Sequence, residues 1–171
     1  HLDETLREMA EEAVAGLDGQ LQKAHAIARV VRERIVYTPG ATETGTTAAE
    51  AAAQGQGVCQ DQAHAVIAMA RAVEMPGRYV VGYLHATEDG EVHQASHAWA
   101  EVWVRGLGWV GFDAANGCCP DERYVRLGSG LDAEDAAPIR GRALGEGEES
   151  LDVDVRVLDE NQRQTQTQSQ Q

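Results

Sequence analysis

One cysteine stands where a glycine-containing segment leads into an alanine-rich stretch, in residues 55–72, GQGVCQDQAHAVIAMARA. The apolar spacing predicts a helix that begins near Cys59, with Gly55 and Gly57 ending the element before it. The N-terminus of a helix carries positive partial charge, which stabilises a thiolate placed there. Because the thiolate is the nucleophilic form of cysteine, this position favours covalent chemistry at Cys59.

A cysteine nucleophile needs a base, and histidine is the side chain that exchanges protons readily near neutral pH. Of the six histidines, His64 lies five residues after Cys59, about 140° around the helix, so we expect it to face elsewhere. His97 lies in SHAWAEVWV, an alternating segment that predicts a strand. The residues predicted to share its face are Trp99, Glu101 and Trp103. We predict that His97 is the base.

Asp113 ends the next predicted strand, WVGFD, which follows the hairpin turn RGLG at 105–108. Pairing about this turn places residues whose numbers sum to roughly 213 opposite each other, so His97 faces about position 116. A carboxylate at Asp113 can then reach the imidazole and orient it, as the acid of a catalytic triad does. Asn116 lies as near in this register and is the competing orienting residue.

Helices come first along the chain and strands follow, an order that predicts an α+β fold with an antiparallel sheet. The predicted helices cover 2–16, 21–35, a short segment from Thr46 or Thr47 to Ala53, and the cysteine helix to about Val73. The predicted strands cover 78–86, 96–104, 109–113 and a late strand at 151–158. These elements are expected to form one domain over 1–158, which is either complete or a fragment of a longer protein. The polar tail at 159–171 is expected to be disordered.

The composition narrows the classes of function. The formal net charge is −14, and the sequence shows no stripe of basic residues. Both features argue against nucleic-acid binding. No apolar run approaches the length of a membrane span, and no signal-peptide pattern is present. We therefore expect a globular protein that does not enter a membrane.

Cysteine usage favours reduced thiols in a cytoplasm-like compartment, because three cysteines suit a disulfide framework poorly. Cys118 and Cys119 are interpreted as loop thiols, since no pair of cysteines has zinc-ligand spacing. A zinc hydrolase that uses His85, His93 and His97 with a cysteine is the alternative, but these spacings fit no zinc motif. No metal or organic cofactor is expected.

Taken together, GVCQDQAHAVIAMARAVEMPGRYVVGY at 57–83 and SHAWAEVWVRGLGWVGFDAANG at 96–117 resemble the core of the transglutaminase-like superfamily. They most resemble its bacterial branch of cysteine proteases, over about residues 26–158. That family combines a Gly-x-Cys helix start, a His-x-Trp-x-Glu strand and an Asp after a Trp-containing strand. The resemblance implies a papain-like/transglutaminase-like core in which Cys59 is the nucleophile, His97 the base and Asp113 the orienting acid.

The sequence departs from the family pattern at three places. Asp-Ala-Ala-Asn at 113–116 replaces the frequent Asp-Pro-Thr-Asn, and Tyr124 stands where a histidine is often seen. The position of a papain-type oxyanion glutamine is occupied by Ala53. The backbone N–H of Cys59 can still stabilise an oxyanion. The candidates for a second donor are Gln54, Gln56 and Tyr37.

These residues predict acyl transfer at amide bonds of a peptide or other amide substrate. The Cys59 thiolate attacks the carbonyl, and His97 protonates the departing amine. Water resolves the thioester in a protease or amidase, and an amine resolves it in a transglutaminase; the resemblance favours hydrolysis. Trp99 and Trp103 are expected to form a wall of the substrate site. The alternative of another class is a binding module that keeps the fold without catalysis.

Overall fold

The computed structural model describes residues 3–85 and 96–139, which form an α+β fold. Its helices are α1 (Glu4–Val14), α2 (Gln20–Arg34), α3 (Ala48–Gln54), α4 (Cys59–Ala72) and α5 (Ala133–Ala136). Its strands are β1 (Val36–Tyr37), β2 (Gln56–Gly57), β3 (Gly77–Leu84), β4 (Ser96–Val104), β5 (Gly108–Phe112) and β6 (Tyr124–Gly130). The helices predicted at 2–16, 21–35 and 59–73 therefore form with small changes at their ends.

Polar side chains define where the first and third helices begin. Asp3 caps α1 by accepting hydrogen bonds from the backbone N–H groups of Thr5 and Leu6. Thr47 caps α3 in a reciprocal pair with Glu50, each side chain accepting from the other residue's backbone N–H. The capping box selects Thr47 over Thr46 as the N-cap, because it satisfies two otherwise unpaired donors.

Helix α4 is the centre of the core. It contacts the sheet through β3 and β4, and it also contacts α1, α2 and α3. Nine of its fourteen residues are buried, many of them alanines, which permit close approach by the neighbouring elements. Facing side chains of β4 complete this layer, namely Ala98, Ala100 and Val102. The helix that begins at Cys59 is thus held from several sides, which fixes the position of its first residue.

The four long strands form one antiparallel sheet in the order β5-β4-β3-β6. Strands β4 and β5 pair with Val104 opposite Gly108 and Ala100 opposite Phe112, so opposed residue numbers sum to 212. This sum agrees with the value of roughly 213 expected from the sequence to within one residue. The turn has the three residues 105–107, with Gly106 at a φ of 86° that favours glycine.

Four elements were not expected from the sequence, namely β1, β2, β6 and the one-turn helix α5. Strands β1 and β2 are two residues each and pair in parallel, too short for any periodic signal. Strand β6, YVRLGSG, is mostly exposed and contains two glycines, so it shows no clean alternation. The late strand predicted at 151–158 and the tail at 159–171 lie outside the described residues. No helix in the described part of the chain is long and apolar enough to cross a membrane.

The tryptophans of the β4–β5 hairpin lie on the outer face of the sheet. Trp103 and Trp109 are cross-strand partners whose rings meet edge to face at 5.5 Å. The Arg78 guanidinium lies 4.2 Å from the Trp109 ring centroid and forms an ion pair with Glu101 at 2.6 Å. Trp103 is 43% exposed and lies six residues from His97, about 20 Å along the strand. The expectation that Trp103 walls the catalytic site therefore does not match its position.

Candidate active site

Cys59 is the first residue of α4, where the sequence predicted it. Its side chain is buried, with 6% of the residue exposed, and Sγ donates a hydrogen bond to Gln60 Oε1 at 3.1 Å. The preceding turn is held by Asp61, whose Oδ2 accepts from the backbone N–H of Val58 at 2.8 Å and from Thr42 Oγ1 at 2.6 Å. The thiol thus lies at the positive end of a helix that is fixed by a buried cap.

The close packing around Gly57, two residues before Cys59, accounts for the glycine at this position. A Cβ built at this position would lie 2.9 Å from the Asp61 carboxylate and 3.0 Å from the Ile35 side chain. Contacts this short require one of the two neighbours to move. The glycine therefore allows the cap and the end of α2 to approach the cysteine turn together.

His97 and Asp113 are brought together by the sheet. His97 Nε2 lies 2.7 Å from Asp113 Oδ2, and Asp113 is 2% exposed. The paired part of β4 and β5 ends at Ala100 opposite Phe112, and Asp113 follows directly, where it bridges to Cys118.

Three residues donate four hydrogen bonds to the Asp113 carboxylate. Oδ2 accepts from the Tyr124 hydroxyl at 2.6 Å and from Asn116 Nδ2 at 2.7 Å, in addition to His97. Oδ1 accepts from the Asn116 backbone N–H at 3.2 Å. Burial raises the pKa of Asp113, but the bonds from His97, Tyr124 and Asn116 outweigh it, so the pKa lies below its usual value.

Asn116 does not replace Asp113 as the residue nearest to the imidazole. Its Nδ2 lies 3.4 Å from His97 Nε2. Both nitrogens are donors when the Nε2 proton points at Asp113, so the amide bonds to the carboxylate and not to the ring. Asn116 therefore acts on His97 through Asp113.

The protonation of His97 follows from its two partners. Burial lowers the pKa of the imidazole, but hydrogen bonds to Asp113 and to Cys59, with the charges of both, raise it to about 9. Since Nε2 is engaged by Asp113, Nδ1 is the nitrogen left for Cys59. The geometry therefore favours an imidazolium at neutral pH beside the sulfur.

Tyr124, which opens β6, is a site residue that the sequence did not assign. Its hydroxyl bonds to Asp113 and lies 3.3 Å from Cys118 Sγ, and its ring lies 5.4 Å from Trp99. Burial, followed by the bond to Asp113, raises the pKa of Tyr124, so the hydroxyl remains a donor. The sequence did mark this position, because Tyr124 stands where the family often has a histidine.

Trp99 lies beside the imidazole, as expected. It is 3% exposed, and its ring centroid is 6.2 Å from that of His97. On the neighbouring strand, a Cβ at Gly82 would lie 2.9 Å from the Trp99 ring and would meet the carbonyl oxygen of Val125. Because Gly82 has no side chain, the Trp99 ring and the backbone of β6 can both pack against it.

Of the three side chains proposed as second oxyanion donors, Tyr37 is the one that titrates. Burial, followed by the charges of Cys59 and Asp113, raises the pKa of Tyr37. Its strand pairs beside the cysteine turn, since Tyr37 is the partner of Gly57. Gln54 ends α3 and Gln56 lies in β2; both are exposed, as is Tyr37.

Two other described histidines, His64 and His25, pack against aromatic rings. His64 is half-buried against Tyr79, with ring centroids 4.7 Å apart, and burial lowers its pKa. His25 meets Phe112 edge to face at 5.1 Å. Within 3–85 and 96–139, no group of three or more His, Cys, Asp or Glu side chains is arranged to hold a metal ion. His93, a member of the zinc alternative, lies outside these residues.

The family follows from the sequence comparison. A sequence model of the Transglutaminase-like superfamily matches residues 7–114. This match covers more than half of the chain and includes Cys59, His97 and Asp113. The chain therefore belongs to the transglutaminase-like superfamily.

Its relatives in mycobacteria are uncharacterized proteins. ML0607 of Mycobacterium leprae is 37% identical over 151 residues, which cover 82% of this chain and 53% of ML0607. Rv2569c of Mycobacterium tuberculosis is 37% identical over 125 residues, which cover 67% of this chain and 40% of Rv2569c. The chain thus spans roughly half or less of the length of these relatives.

Solved structures confirm the predicted fold class. A crystal structure described as a "Putative Cysteine Protease" from Cytophaga hutchinsonii matches with a TM-score of 0.67 at 31% identity, covering 78% of this chain and 44% of that one. The periplasmic domain of TgpA from Pseudomonas aeruginosa matches with a TM-score of 0.52 at 24% identity, covering 68% and 44%. At the lower identity the likeness concerns the fold alone.

Proposed function

We propose that this chain carries out thiol-dependent acyl transfer at amide bonds, with Cys59, His97 and Asp113 as its triad. The observation that carries the proposal is the 2.7 Å contact between His97 Nε2 and Asp113 Oδ2, on an imidazole whose pKa the neighbouring Cys59 helps to raise. A nucleophile at a helix N-terminus, a base beside it and an acid behind the base satisfy the requirements for an activated thiol.

In the first half of the proposed reaction, the Cys59 thiolate forms a bond to the amide carbonyl carbon. The C–N bond then breaks, and the proton of the His97 imidazolium goes to the departing amine. The acyl group remains on sulfur as a thioester. Asp113 keeps the imidazole oriented and stabilises its charged form, and it is not itself protonated.

In the second half, water attacks the thioester carbonyl while His97 accepts one of its protons. The C–S bond breaks, a carboxylic acid leaves, and the thiolate–imidazolium pair is restored. The oxyanion of each tetrahedral intermediate is assigned to the Cys59 backbone N–H and the Tyr37 hydroxyl. Tyr37 is taken as the second donor because it pairs with Gly57, beside the cysteine turn.

Hydrolysis is the outcome we favour, supported by the likeness to the Cytophaga protein at 31% identity. Amine transfer uses the same triad and differs only in the acceptor that resolves the thioester. A peptide and amide library offered with and without a primary amine separates the two. Products with only a new carboxylate support a protease or amidase, and products that incorporate the amine support a transglutaminase.

The proposed nucleophile is tested by labelling with iodoacetamide at mildly acidic pH, followed by trapping of the acyl-enzyme and mass spectrometry. We expect rapid labelling of Cys59 and a library-derived acyl adduct on the same residue. Cys59→Ala should lose both, with unfolding free energy changed by only about 1 kcal/mol. Cys119→Ser, which changes an exposed thiol, should retain both. Activity in Cys59→Ala would refute the assignment, and slow, unselective labelling would instead support a non-catalytic binding module.

A further inference from the structure

A cleft of about 850 Å³ lies between α2 and the loop that follows β5. Its α2 wall includes Gln22, His25, Arg29 and Arg32, and its opposite wall includes Phe112 and Gly117. We call this space the α2 cleft. Its volume falls within the range of about 300–1,000 Å³ that is usual for small-molecule sites. The proposed reaction leaves it unused.

The polar residues of the α2 wall form a stripe along one helix face, since they follow one another at spacings of three, four and three residues. All of them offer N–H donors, and an arginine offers five in a fixed fork. Helix α2 contains four Lys or Arg residues and one Glu, although acidic residues outnumber basic ones 28 to 14 in the chain. Two of these four basic residues, Arg29 and Arg32, line the cleft.

The two arginines of the stripe are not used by the fold as ion pairs. Across 3–85 and 96–139, neither Arg29 nor Arg32 has a carboxylate within ion-pair distance. Two acids also line the cleft, but Asp113 is occupied by His97, Asn116 and Tyr124, and Glu33 forms no ion pair with either arginine. The guanidinium groups therefore retain their capacity to bind an anion.

The loop after β5, on the opposite wall, makes room for the Arg32 guanidinium. Gly117 has a φ of 67°, and a Cβ at this position would occupy the place of the Arg32 guanidinium. The glycine thus lets the Arg32 head lie against the loop. Leu17 and Phe112 add apolar surface to the same cleft.

We propose that the α2 cleft binds a small anionic molecule, whose carboxylate or phosphate oxygens are held by Arg29 and Arg32. The planar fork of each guanidinium matches two oxygens of such a group. The apolar wall accommodates the uncharged part of the molecule. The site does not depend on the chemistry of Cys59, so the proposal stands or fails separately from the proposed reaction.

Isothermal titration of the full chain with citrate and with inorganic phosphate at low ionic strength tests this site. We expect saturable binding of at least one probe, and the probe that binds identifies the preferred oxyanion. Arg29→Gln and Arg32→Gln should each weaken binding by about tenfold or more. Arg34→Gln is the matched control, because it removes the same charge from the same helix outside the cleft; it should change affinity by less than about twofold.

Gly117→Ala adds a test that keeps both charges. Its methyl group displaces the Arg32 head, so we expect it to weaken binding of the same probe while Arg29 is unchanged. Arg29→Gln keeps the proposal testable if the changes at 32 or 117 unfold the protein, which thermal melts reveal. Absence of saturable binding of both probes, or an equal loss in Arg34→Gln and Arg29→Gln, would overturn the proposal.

Discussion

Asp113 is the residue on which the candidate site converges. A buried carboxylate is costly unless its oxygens are paired, and here the partners are His97, Tyr124 and Asn116. The three partners come from β4, β6 and the loop after β5. Each donor stabilises the ionised acid, and the ionised acid in turn stabilises the His97 imidazolium. Removal of any one donor should therefore destabilise the His97 imidazolium.

This arrangement predicts a graded effect of three substitutions on the reactivity of Cys59. Asp113→Asn should lower the alkylation rate at mildly acidic pH by orders of magnitude, because the imidazolium loses its counter-charge. Tyr124→Phe and Asn116→Ala each remove one bond to Asp113 and should lower the rate by about three- to thirtyfold. The measurement is the pH profile of iodoacetamide labelling. If only Asn116→Ala changes the profile, Asp113 is a turn residue and not the orienting acid.

The raised pKa of His97 predicts a pH dependence of stability. A group whose pKa is higher in the folded state contributes fully below its unfolded value and loses this contribution as pH rises through the folded value. For His97 the window runs from 6.5 to about 9. We expect the free energy of unfolding to fall across this window by on the order of 2 kcal/mol.

Urea denaturation at several pH values across the window provides the measurement. His97→Gln removes the titrating group and should flatten the decline. A decline of equal slope in the wild-type protein and in His97→Gln would contradict the assignment.

At the scale of elements, the start of α4 depends on a bridge to a loop far away in sequence. Asp61 accepts from Val58 at the helix start and from Thr42 in the loop after β1. A buried cap with two donors both stabilises the helix and places the cysteine turn. The role of Asp61 is thus positional, although its charge lies only two residues from the nucleophile.

We expect Asp61→Ala to lower the free energy of unfolding by about 1–3 kcal/mol, since two buried donors lose their acceptor. Thr42→Val, which removes only the loop's donor, should cost about 1 kcal/mol. Chemical denaturation measures both, and Glu50→Ala at the exposed cap of α3 is the matched control for a cap of another helix. Wild-type stability in Asp61→Ala would show that the helix start is fixed by packing alone.

At the scale of the whole molecule, the net charge of −14 is the dominant electrostatic property. Like charges repel one another more in the compact state than in the unfolded chain. Salt screens this repulsion, with a Debye length that falls from about 30 Å at 0.01 M to about 8 Å at 0.15 M. We predict that this change of ionic strength raises the thermal midpoint by about 2–5 °C.

Calorimetry in sodium chloride and in choline chloride measures the effect and its cause. Screening depends on ionic strength, so both salts should produce the same rise. A rise that occurs with only one of the two cations would point to specific ion binding instead. A fall in the midpoint with both would mean that local ion pairs, such as Arg78 with Glu101, outweigh the general repulsion.

The sequence by itself determined the parts of this protein that depend on local order. The apolar spacing after Gly57 indicated the cysteine helix, the alternation around His97 indicated its strand, and the three motifs in order indicated the family. These signals survive without tertiary information because helix and strand periods are set by backbone geometry. They supplied the α+β fold and the residues proposed as the triad.

Only the tertiary structure decided how these residues are surrounded. The sequence left Asp113 and Asn116 as competitors, and the structure places Asp113 Oδ2 2.7 Å from His97 Nε2, closer than the Asn116 amide at 3.4 Å. Tyr124 reaches the same carboxylate from β6, a strand too irregular in sequence to predict. The pairing of Trp103 with Trp109 and the cleft beside α2 likewise join segments distant in the chain. Contacts of this kind depend on register and packing, which a single sequence's local periodicity does not encode.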